Sequence, residues 1–116
     1  MKNDAARERL IEYVKQKDWV SFVEVERVLS EFMEVKGTTS IQGAPNVILW
    51  MGVSEDLADL ILELVNEGVL FLWRTQLLTY LIDGRGLTLP IAKRPPKEGY
   101  KKPRWLPTCL RGISQV

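Results

Sequence analysis

Over residues 4–17 apolar side chains recur at every fourth position, Ala6, Leu10 and Val14, with Ile11 and Tyr13 widening the stripe. That spacing predicts a helix with one buried face, and Asp4 is expected to cap it. Ser21 and Glu24 stand three apart, as in a capping box, ahead of Phe22, Val25, Val28, Leu29, Phe32 and Met33. A second helix is therefore expected from Ser21 to about residue 33, with Trp19 and Val20 bridging from the first. Residues 35–46 are rich in Gly, Thr, Ser, Pro and Asn and read as loop, while the apolar run 47–51 reads as a short buried strand. Ser54, followed by Glu55 and Asp56, marks a third helix whose buried stripe is Leu57, Leu60, Ile61, Leu64 and Val65, closed by Gly68. Beyond it, 69–74, 78–82 and 87–91 are aliphatic, aromatic and β-branched, with the turn Asp83-Gly84-Arg85-Gly86 between the last two. They predict an antiparallel β meander.

Composition narrows the classes. The 116 residues are 46% hydrophobic and 27% charged, near globular averages. No apolar run approaches the 18 or so residues that span a bilayer, and the charged start lacks the apolar region of a signal peptide, so a cytoplasmic protein without membrane partners is expected. There is no histidine and one cysteine, which removes the commonest general base and metal ligand and any internal disulfide.

Charge divides the chain more sharply than hydropathy. Residues 1–92 hold nine bases against fourteen acids, a net of −5, whereas 93–116 hold seven bases against Glu98, a net of +6. Five of the six prolines lie at or beyond residue 90. Proline lacks a backbone donor and favours extended chain, so the reading is a domain over 1–92 and a basic, proline-rich C-terminal segment over 93–116. Opposite charges on one chain, together with Trp105, predict that residues 100–110 rest ordered on the body, with Trp105 largely buried and Lys101, Lys102 or Arg104 near helix acids.

Three helices followed by a β hairpin, with the third helix entering the hairpin through glycine in SEDLADLILELVNEGVLFLW, resemble the winged helix-turn-helix superfamily. The resemblance covers roughly residues 4–92 and implies a winged-helix-like domain there; with the meander and the basic segment read above, the expected fold is α+β, a three-helix domain with a small antiparallel meander and an extended C-terminal tail. It would put residues 54–67 in a DNA major groove and a hairpin turn on the backbone. Helix 54–67, however, carries Glu55, Asp56, Asp59, Glu63 and Glu67 and no Lys or Arg. A face of that charge repels phosphate, so nucleic-acid contacts are expected elsewhere.

The candidate contacts are Arg74 and Arg85 on the hairpin turns and Lys93, Arg94, Lys97, Tyr100, Lys101, Lys102, Arg104 and Trp105, where bases alternate with rings able to stack on unpaired bases. The other candidate surface is for protein: Asp59, Glu63 and Trp73, on the acidic helix and an apolar strand face. No Ser/His/Asp set, phosphate-cradling glycine loop or metal-spaced cluster is present. Acid pairs such as Asp56 with Asp59 are expected to be solvated surface, and Cys109, near Arg111, to be incidental. No catalysis, metal or cofactor is expected. Two binding roles stay open: a nucleic-acid-associated or transcription-regulatory module, and a protein-interaction or self-association module, with a homodimer as its simplest form.

Overall fold

The computed structural model describes residues 3–112, a mixed α+β fold of four helices and two small sheets among those residues. Helix α1, Asp4–Lys17, buries Ala6, Leu10 and Val14, as the four-residue spacing requires. Its cap is Asn3, in left-handed backbone at φ 68° with no side-chain bond, and Asp4 sits in the first turn, where its charge meets the unpaired N–H groups. A two-residue strand β1, Val20–Ser21, leads into α2, Phe22–Leu29. Ser21 Oγ accepts from the Glu24 amide at 3.2 Å. This helix ends earlier than its apolar pattern predicts, because the Phe32 and Met33 amides both turn back to the Leu29 carbonyl, and Phe32 is left exposed.

The stretch expected to be loop is largely a strand. β2, Lys36–Ala44, pairs antiparallel with β3, Val47–Val53, around the turn Pro45-Asn46. β2 is an edge strand with irregular register and buries Ile41 alone, so its sequence shows no apolar alternation. β3 is the buried run read from the sequence, two residues longer. Helix α3, Glu55–Asn66, begins where Ser54 Oγ accepts from the Leu57 amide at 3.0 Å and packs Leu57, Ala58, Leu60, Ile61 and Leu64 inward. Gly68, at φ 74°, supplies the left-handed turn that releases the chain into β4, Leu70–Arg74.

The expected meander does not form. Residues Leu77–Ile82 are a helix, α4, and 87–91 contribute only one bridge, Ile91 to Trp105. Tyr80 explains the first departure: it is fully buried, its hydroxyl donates to the Thr108 carbonyl at 2.5 Å and accepts from the Phe22 amide at 3.1 Å. Its ring lies 5.2 Å from Trp50 and 5.1 Å from Trp105. One anchored ring overrides the local β propensity of a six-residue segment.

Partners for β3 and β4 come instead from the C-terminal quarter. β5, Arg104–Trp105, runs parallel to β3, and β6, Thr108–Gly112, lies between β1 and β4, antiparallel to both. Trp105 is 1% exposed and donates its indole N–H to the Leu49 carbonyl at 3.2 Å. Trp50 donates to Glu26 Oε2 at 2.6 Å. Phe22, Trp50, Tyr80 and Trp105 thus form one aromatic cluster joining α2, β3, α4 and β5. No described helix is long and apolar enough to cross a membrane.

Candidate nucleic-acid interface

Between Ala92 and Trp105 the chain leaves the core and returns. Its ends are tied by two backbone bonds of 2.8 Å, from the Ala92 amide to the Trp105 carbonyl and from the Trp105 amide to the Pro90 carbonyl. The middle is clamped on the β2–β3 turn: the Tyr100 amide donates to Pro45, the Asn46 side chain to the Tyr100 carbonyl at 2.9 Å, and the Arg104 amide to Asn46. Pro95, Pro96 and Pro103 fix φ along the way. Gly99 makes the approach feasible, since it sits at φ 78° and a Cβ there would lie 2.0 Å from the Pro45 carbonyl oxygen. Gly99→Ala is therefore expected to cost about 2 kcal/mol through left-handed strain and loss of the clamp. The check is a thermal melt together with faster exchange of the Tyr100 amide.

On this held segment Lys93, Arg94, Lys97, Lys101, Lys102 and Arg104 are all exposed. None makes an ion pair with a described acid, so the expected masking by helix acids is not what holds the segment down. Arg104 lies over the Tyr100 ring at 5.0 Å, and Tyr100 is half-buried. Trp105 belongs to the core and offers no face to a base, a correction to its reading as a stacking residue.

The two hairpin-turn arginines are engaged elsewhere. Arg74 donates to the Ala92 and Lys93 carbonyls at 3.3 and 2.7 Å, so it braces the start of the basic segment. Arg85 sits 3.3 Å from Glu26 and 5.4 Å over the Trp50 ring. Asp59 and Glu63 are exposed on α3, with Glu63 3.6 Å from Arg7. Trp73 is exposed near the end of β4.

Sequence reasoning missed a stack built around Arg111. Its guanidinium grips Asp18 through two bonds of 3.0 Å and lies 4.2 Å from the Trp19 ring and 5.5 Å from that of Trp73. Beside it, Trp19, Arg74, Thr75, Gln76 and Thr79 line an open groove of about 460 Å³.

The interior chemistry is committed to structure. Glu26 accepts from Trp50 and from Lys36 at 2.6 Å, while Glu24 accepts from the Tyr13 hydroxyl at 2.7 Å and pairs with Lys17 at 2.9 Å. Burial pushes the Cys109 thiol up to about 11 and also raises Tyr80. Among the described residues no three His, Cys, Asp or Glu side chains stand close enough to share a metal.

Two carboxylates make the fold acid-sensitive. The Arg111 hydrogen bonds hold Asp18 below its usual range. Burial pushes Glu24 up, but bonds from Lys17 and Tyr13 outweigh it and leave its carboxyl lowered. A carboxyl depressed by folding stabilises above its unfolded value, and that stabilisation is lost as pH falls through the folded one. Stability to urea is expected to hold from neutrality to about pH 5 and drop below about pH 4, with a shallower drop in Asp18→Asn.

Compared with protein-family models, curated proteins and solved structures, the chain has no match.

Proposed function

We propose that this chain is a non-catalytic nucleic-acid-binding module whose contact surface is the clamped basic segment 93–104. The observation that carries the reading is six exposed cations without an ion-pair partner among the described residues, held on one braced loop. Cations that are neither paired nor buried remain available to displace counterions from phosphates, and holding them in place lowers the ordering cost of binding.

The frame supports the same reading. Three helices precede the antiparallel pair β4 and β6, and α3 reaches β4 through Gly68. On the winged-helix reading the connection 75–107 takes the place of the wing, since the expected meander does not form. In such a frame the wing is basic and α3 is acidic, the reverse of a duplex-reading third helix. Fluorescence anisotropy with labelled DNA tests the assignment: Asp59→Ala with Glu63→Ala should leave affinity unchanged or raise it. Weaker binding by that variant would move the contact to α3 and defeat the reading.

A second reading, self-association, is favoured by α4. Leu78, Leu81 and Ile82 are 57%, 63% and 75% exposed. At about 100° per residue they fall on the side away from Tyr80. The segment Leu77–Ile82 carries no charge, so two copies can meet about a twofold axis without opposing like charges. Light scattering should then give a dimer mass that Leu78→Glu with Ile82→Glu reduces to monomer; a monomer in the unaltered chain would end this second reading.

A further inference from the structure

The groove beside Trp19 has features that the basic segment does not use. Asp18 and Trp19 both take left-handed backbone, at φ 57° and 51°, although neither is glycine. Strained backbone of this kind persists only where its surroundings over-determine it, and it gathers at ligand sites. Here the surroundings are specific. The Asp18 amide donates to the Val14 carbonyl, the Asp18 carboxylate accepts from the Trp19 amide at 2.8 Å, and Arg111 locks that carboxylate and covers the indole at 4.2 Å. All of this holds a tryptophan 44% exposed, at the wall of a groove, rather than in the core.

We propose that this groove binds a nucleobase. Its about 460 Å³ lies in the range of small-ligand sites, about 300–1,000 Å³. The Trp19 indole, with Arg111 on one face, lines the groove and leaves its other face for stacking. The Thr75 and Thr79 hydroxyls, 3.0 Å apart, and the Gln76 amide, exposed and without a protein partner among the described residues, supply donors and acceptors for a base edge. An amide matches the adenine N6/N7 edge with one donor and one acceptor. Among the described residues no acid lines the groove, and Arg74 adds positive charge suited to a phosphate nearby.

Arg74 also gives the groove its place in the molecule. It lines the groove and donates to the Lys93 carbonyl at 2.7 Å, so the groove adjoins the first cation of the basic segment. A single strand whose phosphates follow the segment can therefore turn an unstacked base into the groove. That source of the base rests on the reading of the segment as a nucleic-acid contact; a free nucleotide would need the groove alone.

The test uses the full chain with Trp73→Phe, which leaves Trp19 as its exposed indole, since Trp50 and Trp105 are each 1% exposed. Tryptophan fluorescence is followed while adenosine monophosphate, an oligo(dA) strand or an oligo(dA)·oligo(dT) duplex is added. Quenching by the strand, with the duplex weaker, is expected, and quenching by the mononucleotide as well would identify a free nucleotide as a second source. Read by the anisotropy of a labelled oligo(dA) strand and by competition with the unlabelled mononucleotide, because these variants lack the reporting indole, Trp19→Ala should weaken strand binding about 5- to 150-fold, the equivalent of about 1–3 kcal/mol per stacked base, while Trp19→Phe retains most of it. Gln76→Ala should remove a preference for oligo(dA) over oligo(dT). Unchanged strand and mononucleotide binding in Trp19→Ala and Gln76→Ala would overturn the proposal. Lys101→Glu with Lys102→Glu reports on the segment separately: quenching by the mononucleotide that survives it supports the groove even where strand binding does not depend on the segment.

Discussion

A chain ending at residue 92 is expected to be unfolded. Residues beyond 92 form no dispensable tail in this architecture, because β6 is the middle strand of its sheet and supplies the ladder to both β1 and β4. Cutting there exposes edges of β1, β4 and β3, removes Cys109 and Leu110 from the core and takes away the Thr108 carbonyl on which Tyr80 closes. Loss of the Trp105 ring alone costs about 3–5 kcal/mol, a large part of the about 5–15 kcal/mol by which domains are stable. Far-ultraviolet circular dichroism should show a chain lacking cooperative melting. A truncated chain that melts cooperatively near the temperature of the full one would mean that β6 is an accessory strand.

Tyr80→Ala is expected to lose about 3–5 kcal/mol, from the vacated ring and the two groups its hydroxyl satisfies. The buried Phe22 amide and Thr108 carbonyl would both be orphaned. Tyr80→Phe separates the contributions, since it keeps the ring contacts with Trp50 and Trp105 and should cost about 1–3 kcal/mol. Urea midpoints measured for both variants give the comparison. A cost below about 1 kcal/mol for the alanine variant would show that α4 is not held through Tyr80.

Helix α4 and strand β6 also mark where the sequence stops being legible. Helices α1, α2 and α3 are long enough for the 3.6-residue period to appear, and Ser21, Ser54 and Gly68 announce their ends. Helix α4 has six residues, too few for a period, and its LLTYLI reads as strand because the deciding fact is a cavity for Tyr80 made by residues distant in the chain. Leu87, Leu89 and Ile91 are apolar for the same kind of reason: they pack on the core, and the bridge from Ile91 to Trp105 is their one strand pairing. Edge strand β2 is hidden by its glycines and hydroxyls, and β6 by the prolines and bases that precede it, although Thr108, Cys109 and Leu110 do form a short apolar run.

The candidate interface was legible in part. Composition alone brings out Lys93 to Arg104, but the clamp depends on Pro45 and Asn46, which carry no signal until the hairpin turn meets Tyr100. The burial of Trp105 follows from its hydrophobic area, which removes it from any stacking role. The Trp19–Arg111 stack joins residues distant in the chain, and the sequence offers only Trp19 as a bridge between the first two helices.

The central claim, that phosphate contact runs through the clamped segment, is tested most directly by the salt dependence of DNA binding by the full chain and by Lys97→Glu/Lys101→Glu/Lys102→Glu. With about five cations engaged, log affinity should fall against log salt with a slope near −4 to −5, from about 0.9 per phosphate neutralised, and the triple variant should bind more weakly with a slope smaller by about 3. All three lysines are exposed, so its melting temperature should be nearly unchanged. Equal affinity and equal slope in the two proteins would contradict the account.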